Sequence, residues 1–277
     1  MVRKRVSFLE EVLDTARESA RRAGEIQMRH FRRRPAIRSR SLHDVKLETD
    51  RDCERAVVRA IRDRFPDHAV LGEEGGERPG DGGFVWIVDP LDGTVNFLHG
   101  LPFFCVSVAC YRRNGGAPGV PLAGAVFLPM TGEMFAAAPG RGADLNGVPL
   151  DRLSRTRAAC AVVSVSFGKT EPTMRRMTRR LAGLLPRVRK ARCLGAVAAE
   201  LAYIAAGRLG GLIYEGIRLW DFAAGRILVE ETGGFFRGRQ TAPGEWQVAA
   251  GAPGLQALFT PRGSAASSFT KRRPVTR

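Results

Sequence analysis

The sequence lacks the features that mark several classes of protein. It has no apolar stretch near the roughly 18 residues that a membrane-spanning helix needs. Its basic N-terminus is followed by Glu10, Glu11 and Asp14 instead of the apolar core of a signal peptide. Its five cysteines are odd in number and dispersed, which is typical of reduced thiols and not of a disulfide framework. We therefore expect a cytoplasmic protein without a membrane partner.

Several common catalytic motifs are missing as well. The chain has no GxxxxGKS or GxxxxGKT segment, which disfavours a nucleotide-driven kinase or ATPase of the Walker type. The motifs HExxH, CxxC and GxSxG do not occur either. With 277 residues, the chain is long enough to bury a hydrophobic core without disulfide bonds or structural metal ions.

Positive charge is abundant and unevenly distributed. The chain has 44 basic and 28 acidic residues, a net charge of +16. Residues 1–40 hold 12 basic and five acidic side chains, residues 262–277 five basic and none acidic, and residues 175–192 eight basic and none acidic. Such runs indicate a nucleic-acid or transcription-complex partner. The alternative is a solvated helix face with charged chain ends, because no run interleaves the aromatic residues typical of single-strand binding.

The hydrophobic pattern predicts a mixture of helices and strands. Apolar residues at three- and four-residue spacings predict helices over 7–31, 52–65, 171–184, 195–207 and 220–231. Short apolar or alternating runs predict strands over 69–71, 84–88, 104–111, 122–128, 133–138, 161–167, 188–194, 209–214, 235–236 and 246–250. The pattern predicts an α+β or layered α/β fold in two halves, residues 1–150 and 151–260, followed by a basic disordered tail at 261–277.

The segment Trp86-Ile-Val-Asp-Pro-Leu-Asp-Gly-Thr-Val-Asn-Phe97 carries the clearest chemical signal. A buried strand ends at Asp89, and Pro90 and Gly93 favour a tight turn that can bring Asp89 and Asp92 into one space. Two buried carboxylates are costly unless a cation lies between them. Oxygen ligands without a nearby His or Cys suit Mg²⁺. The alternative is an ordinary turn, because Asp-Pro and Asp-Gly are common turn dipeptides.

Two further acidic sites strengthen the metal hypothesis. Glu73 and Glu74 follow the strand 69–71, and Asp221 precedes small residues at a predicted helix start. Taken alone, the glutamates could belong to a solvated loop and Asp221 could be a helix N-cap. Four carboxylates around Mg²⁺ would await a phosphate, and the Gly93 and Thr94 amides would form an anion cradle. With the Thr94 hydroxyl placed to hold a water, hydrolysis of a phosphomonoester is the economical hypothesis.

These motifs resemble the Mg²⁺-dependent, lithium-sensitive inositol monophosphatase family. The two signatures are WIVDPLDGTVNF at 86–97 and LWDFAAGRILVEETGG at 219–234. The segments GEE at 72–74, GLPFFCVSVACY and LNG at 145–147 are similar to the family too, and the resemblance runs from about residue 8 to 260. It implies a layered α/β/α/β/α sandwich of the sugar-phosphatase type, and a homodimer.

The resemblance also implies roles for individual residues. The metal ligands for two or three Mg²⁺ ions would be Glu73, Asp89, Asp92, Asp221 and the Leu91 carbonyl, with most ligands in the N-terminal half. Catalysis would use Thr94 to orient the water, Asp50 as its carboxylate partner, and Glu73. The substrate side would comprise Leu91, Gly93, Thr94, Gly195, Ala196, Glu215 and Asp221, several of them from the C-terminal half.

Two departures from the family leave details open. The family often has a lysine near residue 40 that contacts a further metal-bound water, and here Arg38, Arg40 or Lys46 would replace it. A family glutamate that contacts substrate hydroxyls aligns with Tyr214, whereas Glu215 lies one residue along. Inositol 1-phosphate is therefore the default substrate, and fructose 1,6-bisphosphate, histidinol phosphate and 3′-phosphoadenosine 5′-phosphate are alternatives.

Overall fold

A computed structural model describes residues 7–33, 35–42, 45–114 and 117–259, so the predicted tail at 261–277 and the basic residues 1–5 lie outside the described residues. The α-helices are α1 (Phe8–His30), α2 (Glu48–Arg64), α3 (Thr94–Leu98), α4 (Glu171–Leu184), α5 (Val197–Ala205), α6 (Ala223–Glu231) and α7 (Gln256–Phe259). The strands are β1 (Ile37–Arg40), β2 (Val45–Leu47), β3 (Ala69–Gly72), β4 (Gly76–Arg78), β5 (Phe84–Asp92), β6 (Cys105–Asn114), β7 (Ala117–Leu128), β8 (Glu133–Ala137), β9 (Ala143–Leu145), β10 (Val148–Pro149), β11 (Val162–Val165), β12 (Lys190–Arg192), β13 (Gly211–Ile217), β14 (Phe235–Ala242) and β15 (Glu245–Gly251).

The N-terminal part of the chain forms an eight-stranded sheet. The strand order is β10-β9-β8-β7-β6-β5-β3-β4. Strand β5 lies between β3, to which it is parallel, and β6, to which it is antiparallel. Helices α1 and α2 cover one face of this sheet. Their apolar stripes pack on the buried face of β5 and β6 through residues such as Val12, Ala16, Val57 and Ile61.

The C-terminal part forms a five-stranded sheet with the order β12-β11-β13-β15-β14. Strand β11 is parallel to β12 and β13, while β15 is antiparallel to both β13 and β14. Helices α4 and α7 pack on one face of this sheet, where Met177, Leu184 and Phe259 meet Ile213. Helices α5 and α6 pack against its other face through residues such as Leu201 and Val229.

Helices α5 and α6 lie between the two sheets and complete the layers. Their alanine-rich faces also pack against β5, β6 and β7 of the larger sheet. Small side chains allow this close approach: a Cβ at Gly124 of β7 would lie 3.0 Å from the Ala224 backbone. The order is therefore helix pair, sheet, helix pair, sheet, helices, which confirms the predicted layered α+β fold.

Some element boundaries differ from the predictions, and they differ where side chains act on the backbone. Helix α2 begins at Glu48 instead of 52, because the Asp50 carboxylate accepts a hydrogen bond from the Leu47 N–H at 2.6 Å and stabilises the first turn. Helix α6 begins at Ala223 with Phe222 as its N-cap, so the N-cap alternative for Asp221 is wrong. Helix α4 spans 171–184 as predicted, with Thr170 as its N-cap and Pro172 in its first turn.

None of the helices in the described ranges is both long enough and apolar enough to cross a lipid bilayer.

Candidate active site

A β-bulge near the end of β5 brings two acidic side chains to one face of the larger sheet. Asp89 pairs with Ser107 of β6, whereas Asp92 pairs with Cys105, so β5 has one extra residue in this stretch. Residues three apart on a regular strand point to opposite faces, and the extra residue cancels that alternation. Asp89 and Asp92 therefore both point toward α5 and α6, and they are only 2% and 8% exposed.

Two more carboxylates reach the same place from other elements. Glu73 follows β3, which runs parallel to β5, and its N–H donates to the Val88 carbonyl at 3.3 Å. Asp221 follows β13 and lies next to Trp220, whose carbonyl accepts a hydrogen bond from Ser107 of β6 at 3.3 Å. The ends of three strands from two sheets thus deliver Glu73, Asp89, Asp92 and Asp221 to one location.

Burial and the neighbouring carboxylates together raise the pKa values of Glu73, Asp89 and Asp92. Burial raises the pKa of Glu73 to about 8, and the charge of Asp221 adds to the effect. Burial likewise raises the pKa of Asp92 to about 8, again with a contribution from Asp221. The pKa of Asp89 lies well above its usual value because it is buried and faces Glu73, Asp92 and Asp221. Such mutual repulsion at a strand end is typical of a functional site that accepts a cation.

The donor set fits a hard divalent cation, although a formed metal centre is not seen. Within the described ranges, no three His, Cys, Asp or Glu side chains lie in a metal-binding arrangement. Backbone N–H groups engage one oxygen of each aspartate: Leu91 donates to Asp89 at 3.0 Å, Ala198 to Asp92 at 2.6 Å, and Arg218 to Asp221 at 2.8 Å. The arrangement therefore offers carboxylate oxygens, oriented in part by backbone N–H groups, to a cation such as Mg²⁺.

Asp50 and Thr94 lie at helix starts beside this cluster. Asp50 is 3% exposed, and its Oδ1 is buried without a hydrogen-bond partner among the described residues. Burial raises its pKa to about 7, and Glu74 adds to the rise. The Thr94 hydroxyl donates to the Leu91 carbonyl at 2.9 Å, so within the described part of the chain it does not bond directly to Asp50.

The segment before α5 packs against the turn that carries Thr94. Gly93, the N-cap of α3, has φ +92°, and a Cβ there would lie 3.2 Å from the Ala196 Cβ. The Asn96 side-chain amide donates to the Phe103 carbonyl at 2.8 Å and to the Leu194 carbonyl at 2.7 Å. Gly195 and Ala196 are thereby placed next to the predicted anion cradle.

Glu215 lies apart from the predicted metal ligands. It is 4% exposed on the α4 side of β13, and the Arg176 guanidinium donates to its Oε1 at 2.7 and 3.0 Å. Tyr214 points to the opposite face of the strand, where its hydroxyl donates to Glu200 at 2.6 Å. Neither side chain is grouped with the four carboxylates, so the predicted substrate role of Glu215 stays a prediction.

Two of the three basic residues predicted to replace the family lysine, Arg38 and Lys46, form ion pairs with Glu74. Lys46 lies 2.7 Å from Glu74 Oε1, and Arg38 lies 2.5 Å from Glu74 Oε2. The charge of Lys46 lowers the pKa values of both Asp50 and Glu73, although burial outweighs it. Arg40 lies exposed on β1. The charge of Lys46 thus acts on both Asp50 and Glu73, and the charge of Arg38 also lowers the pKa of Asp50.

Sequence reasoning missed three residues that support the site. Glu54 is 1% exposed beneath the loop of Glu73, where it accepts hydrogen bonds from the Glu74 N–H and from Arg78, both at 2.8 Å. Gln27 of α1 donates to the Pro90 carbonyl at 2.8 Å. Glu54 follows Asp50 by four residues on the buried face of α2, so helical spacing could have found it. Gln27 follows Ala23 by four residues on the buried face of α1, so the same spacing places it in the interior, whereas Asn96 carries no such signal.

Comparison with known proteins agrees with this geometry. A family model described as the inositol monophosphatase family matches residues 8–265. A "Nus factor SuhB" from Pseudomonas aeruginosa is 38% identical over 238 residues, covering 82% of this chain and 84% of that protein. "Inositol monophosphatase 1" from Solanum lycopersicum is 36% identical over 233 residues, with 82% and 84% covered. The crystal structure of the extragenic suppressor protein suhB from Bartonella henselae aligns with a TM-score of 0.81 at 29% identity, covering 92% of this chain and 100% of that one.

Proposed function

The chain belongs to the inositol monophosphatase family and is a phosphatase that acts on phosphomonoesters, and on that premise we propose that it hydrolyses myo-inositol 1-phosphate with Mg²⁺ as its cofactor. The family's phosphatases depend on a metal ion, generally Mg²⁺. The observation that best supports the metal for this chain is the burial of Glu73, Asp89 and Asp92 beside one another, which raises all three pKa values, because a bound divalent cation would stabilise their ionised forms.

We propose that Glu73, Asp89, Asp92, Asp221 and the Leu91 carbonyl hold two or three Mg²⁺ ions. Bound there, the metal would lower the pKa of a water and neutralise charge on the phosphate oxygens. The Thr94 hydroxyl, which already donates to Leu91, keeps its lone pairs for hydrogen bonds from the attacking water. Asp50 Oδ1, buried without a partner among the described residues, would accept a proton from that water.

The remaining proposed roles concern the phosphate and the leaving alcohol. The Gly93 and Thr94 N–H groups would bind phosphate oxygens, a role supported by their position directly after Asp92, at the left-handed N-cap of α3. Gly195 and Ala196 would line the polyol side, next to Gly93. Attack of water on phosphorus breaks the ester P–O bond, and the leaving oxygen takes up a proton as the alcohol departs.

A phosphate-release panel tests the metal and the substrate together. It would compare inositol 1-phosphate with fructose 1,6-bisphosphate, histidinol phosphate and 3′-phosphoadenosine 5′-phosphate, each with and without Mg²⁺ and Li⁺. We expect the highest kcat/KM for inositol 1-phosphate, no turnover in EDTA, and inhibition by Li⁺. A higher kcat/KM for another ester would contradict inositol 1-phosphate as the substrate. Turnover in EDTA would contradict the proposed role of Mg²⁺.

A second proposed function is binding to nucleic acid or to a transcription complex. Two observations favour it: relatives named Nus factor SuhB, and the exposed basic face formed by α4 and the segment that follows it. On that face Glu171 pairs with Arg175, and Glu215 pairs with Arg176. The same face also exposes Arg179, Arg187, Arg189, Lys190 and Arg192.

Charge reversal on this face tests the second function. We expect the double variant Arg179→Glu and Arg187→Glu to weaken binding of a single-stranded RNA and to reduce the dependence of its Kd on salt. The matched control, Arg59→Glu with Arg62→Glu, changes the net charge equally on the exposed side of α2. Equal losses in both variants, or no RNA affinity at low salt, would contradict binding through this face.

We further propose a cytoplasmic location and a homodimer. The five cysteines support the location, because all of them are free thiols in the structure. The homodimer rests on the family resemblance, and light scattering coupled to size-exclusion chromatography tests it directly.

A further inference from the structure

A buried acidic side chain on α5 has no place in the proposed chemistry. Glu200 is 0% exposed, and its neighbours on the helix, Leu201 and Ile204, belong to an apolar cluster. Its Oε2 is buried without a hydrogen-bond partner among the described residues, and no described Lys or Arg forms an ion pair with it. An apolar residue of similar size would cost less at such a position, so the carboxylate must serve another purpose.

The other oxygen of Glu200 joins two segments. Its Oε1 accepts the Gly195 N–H at 3.0 Å and the Tyr214 hydroxyl at 2.6 Å. Gly195 has φ +80°, a left-handed conformation that turns the chain sharply into α5. The N-cap of α5 is Ala196, whose side chain cannot accept a hydrogen bond, so Glu200 reaches back to satisfy a donor beside the helix start.

The segment that Glu200 holds contacts the predicted catalytic turn at three points. The Leu194 carbonyl accepts a hydrogen bond from the Asn96 side chain at 2.7 Å. Ala196 packs directly on Gly93. The Ala198 N–H, in the first turn of α5, donates to Asp92 at 2.6 Å. A displacement of Gly195 would therefore be transmitted to both ends of the turn.

Tyr214 anchors this arrangement to the second sheet. It is 3% exposed and pairs with Val248 of β15, so its hydroxyl is fixed by a strand in the middle of that sheet. The chain from Tyr214 through Glu200 to Gly195 connects the five-stranded sheet with the turn that ends β5 of the larger sheet. Two hydrogen bonds to Glu200 Oε1 thus join the second sheet to the segment that packs on this turn.

We propose that Glu200 is a positioning residue that sets the Gly195–Ala196 segment, and through it Gly93 and Asp92, in the geometry required for substrate binding. The inference rests on the proposed phosphatase function. Glu200 acts through backbone groups and touches no reacting atom in this account. Its effect should therefore depend on an acceptor at the position of Oε1 and not on the negative charge.

Kinetics of matched variants test the proposal. Glu200→Ala removes the acceptor and should raise KM for inositol 1-phosphate about tenfold, the effect of one lost hydrogen bond, with a smaller fall in kcat. Glu200→Gln keeps a carbonyl oxygen there and should restore KM to within about twofold of the unaltered protein. Ile204→Ala, one turn along α5 in the same apolar cluster, should lower Tm without changing KM.

Hydrogen exchange provides a readout that needs no activity. Peptides that cover residues 190–199 should exchange about tenfold faster in Glu200→Ala than in the unaltered protein or in Glu200→Gln, because the Gly195 N–H loses its acceptor. Unchanged exchange and KM in Glu200→Ala, or equal defects in Glu200→Ala and Glu200→Gln, would overturn the positioning role. Absence of phosphatase activity in the unaltered protein would overturn the proposed function instead, and the exchange result would still decide whether Glu200 holds the segment.

Discussion

Two sets of buried acidic side chains lie within about 40 residues of each other in the chain and differ in their partners. Glu54 and Glu74 are held by cations: Arg78 contacts Glu54, while Lys46 and Arg38 contact Glu74. Asp89 and Asp92 are buried to a similar degree, yet backbone N–H groups are their nitrogen donors, and the charges nearest them are other carboxylates.

The difference separates residues that support the fold from residues that are available for chemistry. A buried carboxylate with an arginine or lysine contributes to stability as part of a pair, and losing either partner is costly. A buried carboxylate surrounded by other carboxylates lowers stability in its ionised form unless a cation lies beside it. The unpaired aspartates at the end of β5 therefore indicate a binding site for a cation. The paired glutamates, Glu54 and Glu74, stabilise the loop beside that site.

The largest expected effect comes from neutralising one member of the unpaired set. Asp92→Asn should reduce Mg²⁺-dependent phosphate release about 1,000-fold, the equivalent of about 4 kcal/mol of transition-state stabilisation. In EDTA at a pH above 8, where the Asp92 carboxyl is ionised, the same change should leave the free energy of unfolding unchanged or raise it by about 1 kcal/mol, because it removes repulsion while the amide oxygen can still accept the Ala198 N–H. Phosphate release and urea unfolding measure the two quantities.

A matched control for that substitution is Asp52→Asn on α2, a partly exposed residue that pairs with Arg55. It should change neither quantity appreciably. If Asp92→Asn retained full activity, or lost more than about 1 kcal/mol of stability in EDTA, the distinction between the two sets would fail.

The paired set should respond in the opposite sense. Glu54→Gln leaves the Arg78 guanidinium without its carboxylate and weakens the acceptor of the Glu74 N–H, so we expect the free energy of unfolding in EDTA to fall by about 3 kcal/mol. The comparison variant is Glu77→Gln, which breaks the contact of a 51% exposed carboxylate with Arg113 and should cost less than about 1 kcal/mol. If urea unfolding showed the same loss in free energy of unfolding for both variants, burial of the Glu54–Arg78 pair would not add to its contribution to stability.

Much of this architecture could be predicted from local patterns. Helix α4 matches its predicted range because Thr170 and Pro172 mark its start, and the turn between β7 and β8 lies where Pro129 and Gly132 indicate it. These signals act within a few residues, so a single sequence contains all that is needed to interpret them.

The parts that could not be predicted depend on distant partners. The bulge between Asp89 and Asp92 is defined by pairing with β6, not by β5 alone. The pairing of Glu215 with Arg176 joins residues 39 apart, and nothing local to Glu215 indicates that its carboxylate turns toward α4. Helical spacing places Glu54 on the buried face of α2, but its partner, the Glu74 N–H, lies 20 residues away, and the partner of Gln27, the Pro90 carbonyl, lies 63 residues away.

Glu200 refines the comparison, because it is buried with neither a cation nor a cluster of carboxylates as its main partner. Burial raises its pKa from 4.5 to about 7, against hydrogen bonds that favour the charged form. The charge of Glu200 in turn raises the pKa values of three neighbouring groups, Tyr214, Cys193 and Asp92. Since the folded protein holds the proton more tightly than the unfolded chain, the resulting stability is complete below pH 4.5 and is lost as the pH rises through 7.

Glu200→Gln removes that dependence, because the amide stays neutral at every pH. In EDTA, the stability of the unaltered protein relative to Glu200→Gln should therefore fall by about 3 kcal/mol between pH 4.5 and pH 8, as expected when burial raises a pKa from 4.5 to about 7. Urea unfolding of both proteins at several pH values measures the difference, in which the contributions of the other carboxylates largely cancel. Parallel stability curves would mean that Glu200 is already charged in the folded protein at pH 5, and it would then have to be grouped with the carboxylates that the fold stabilises in their ionised form.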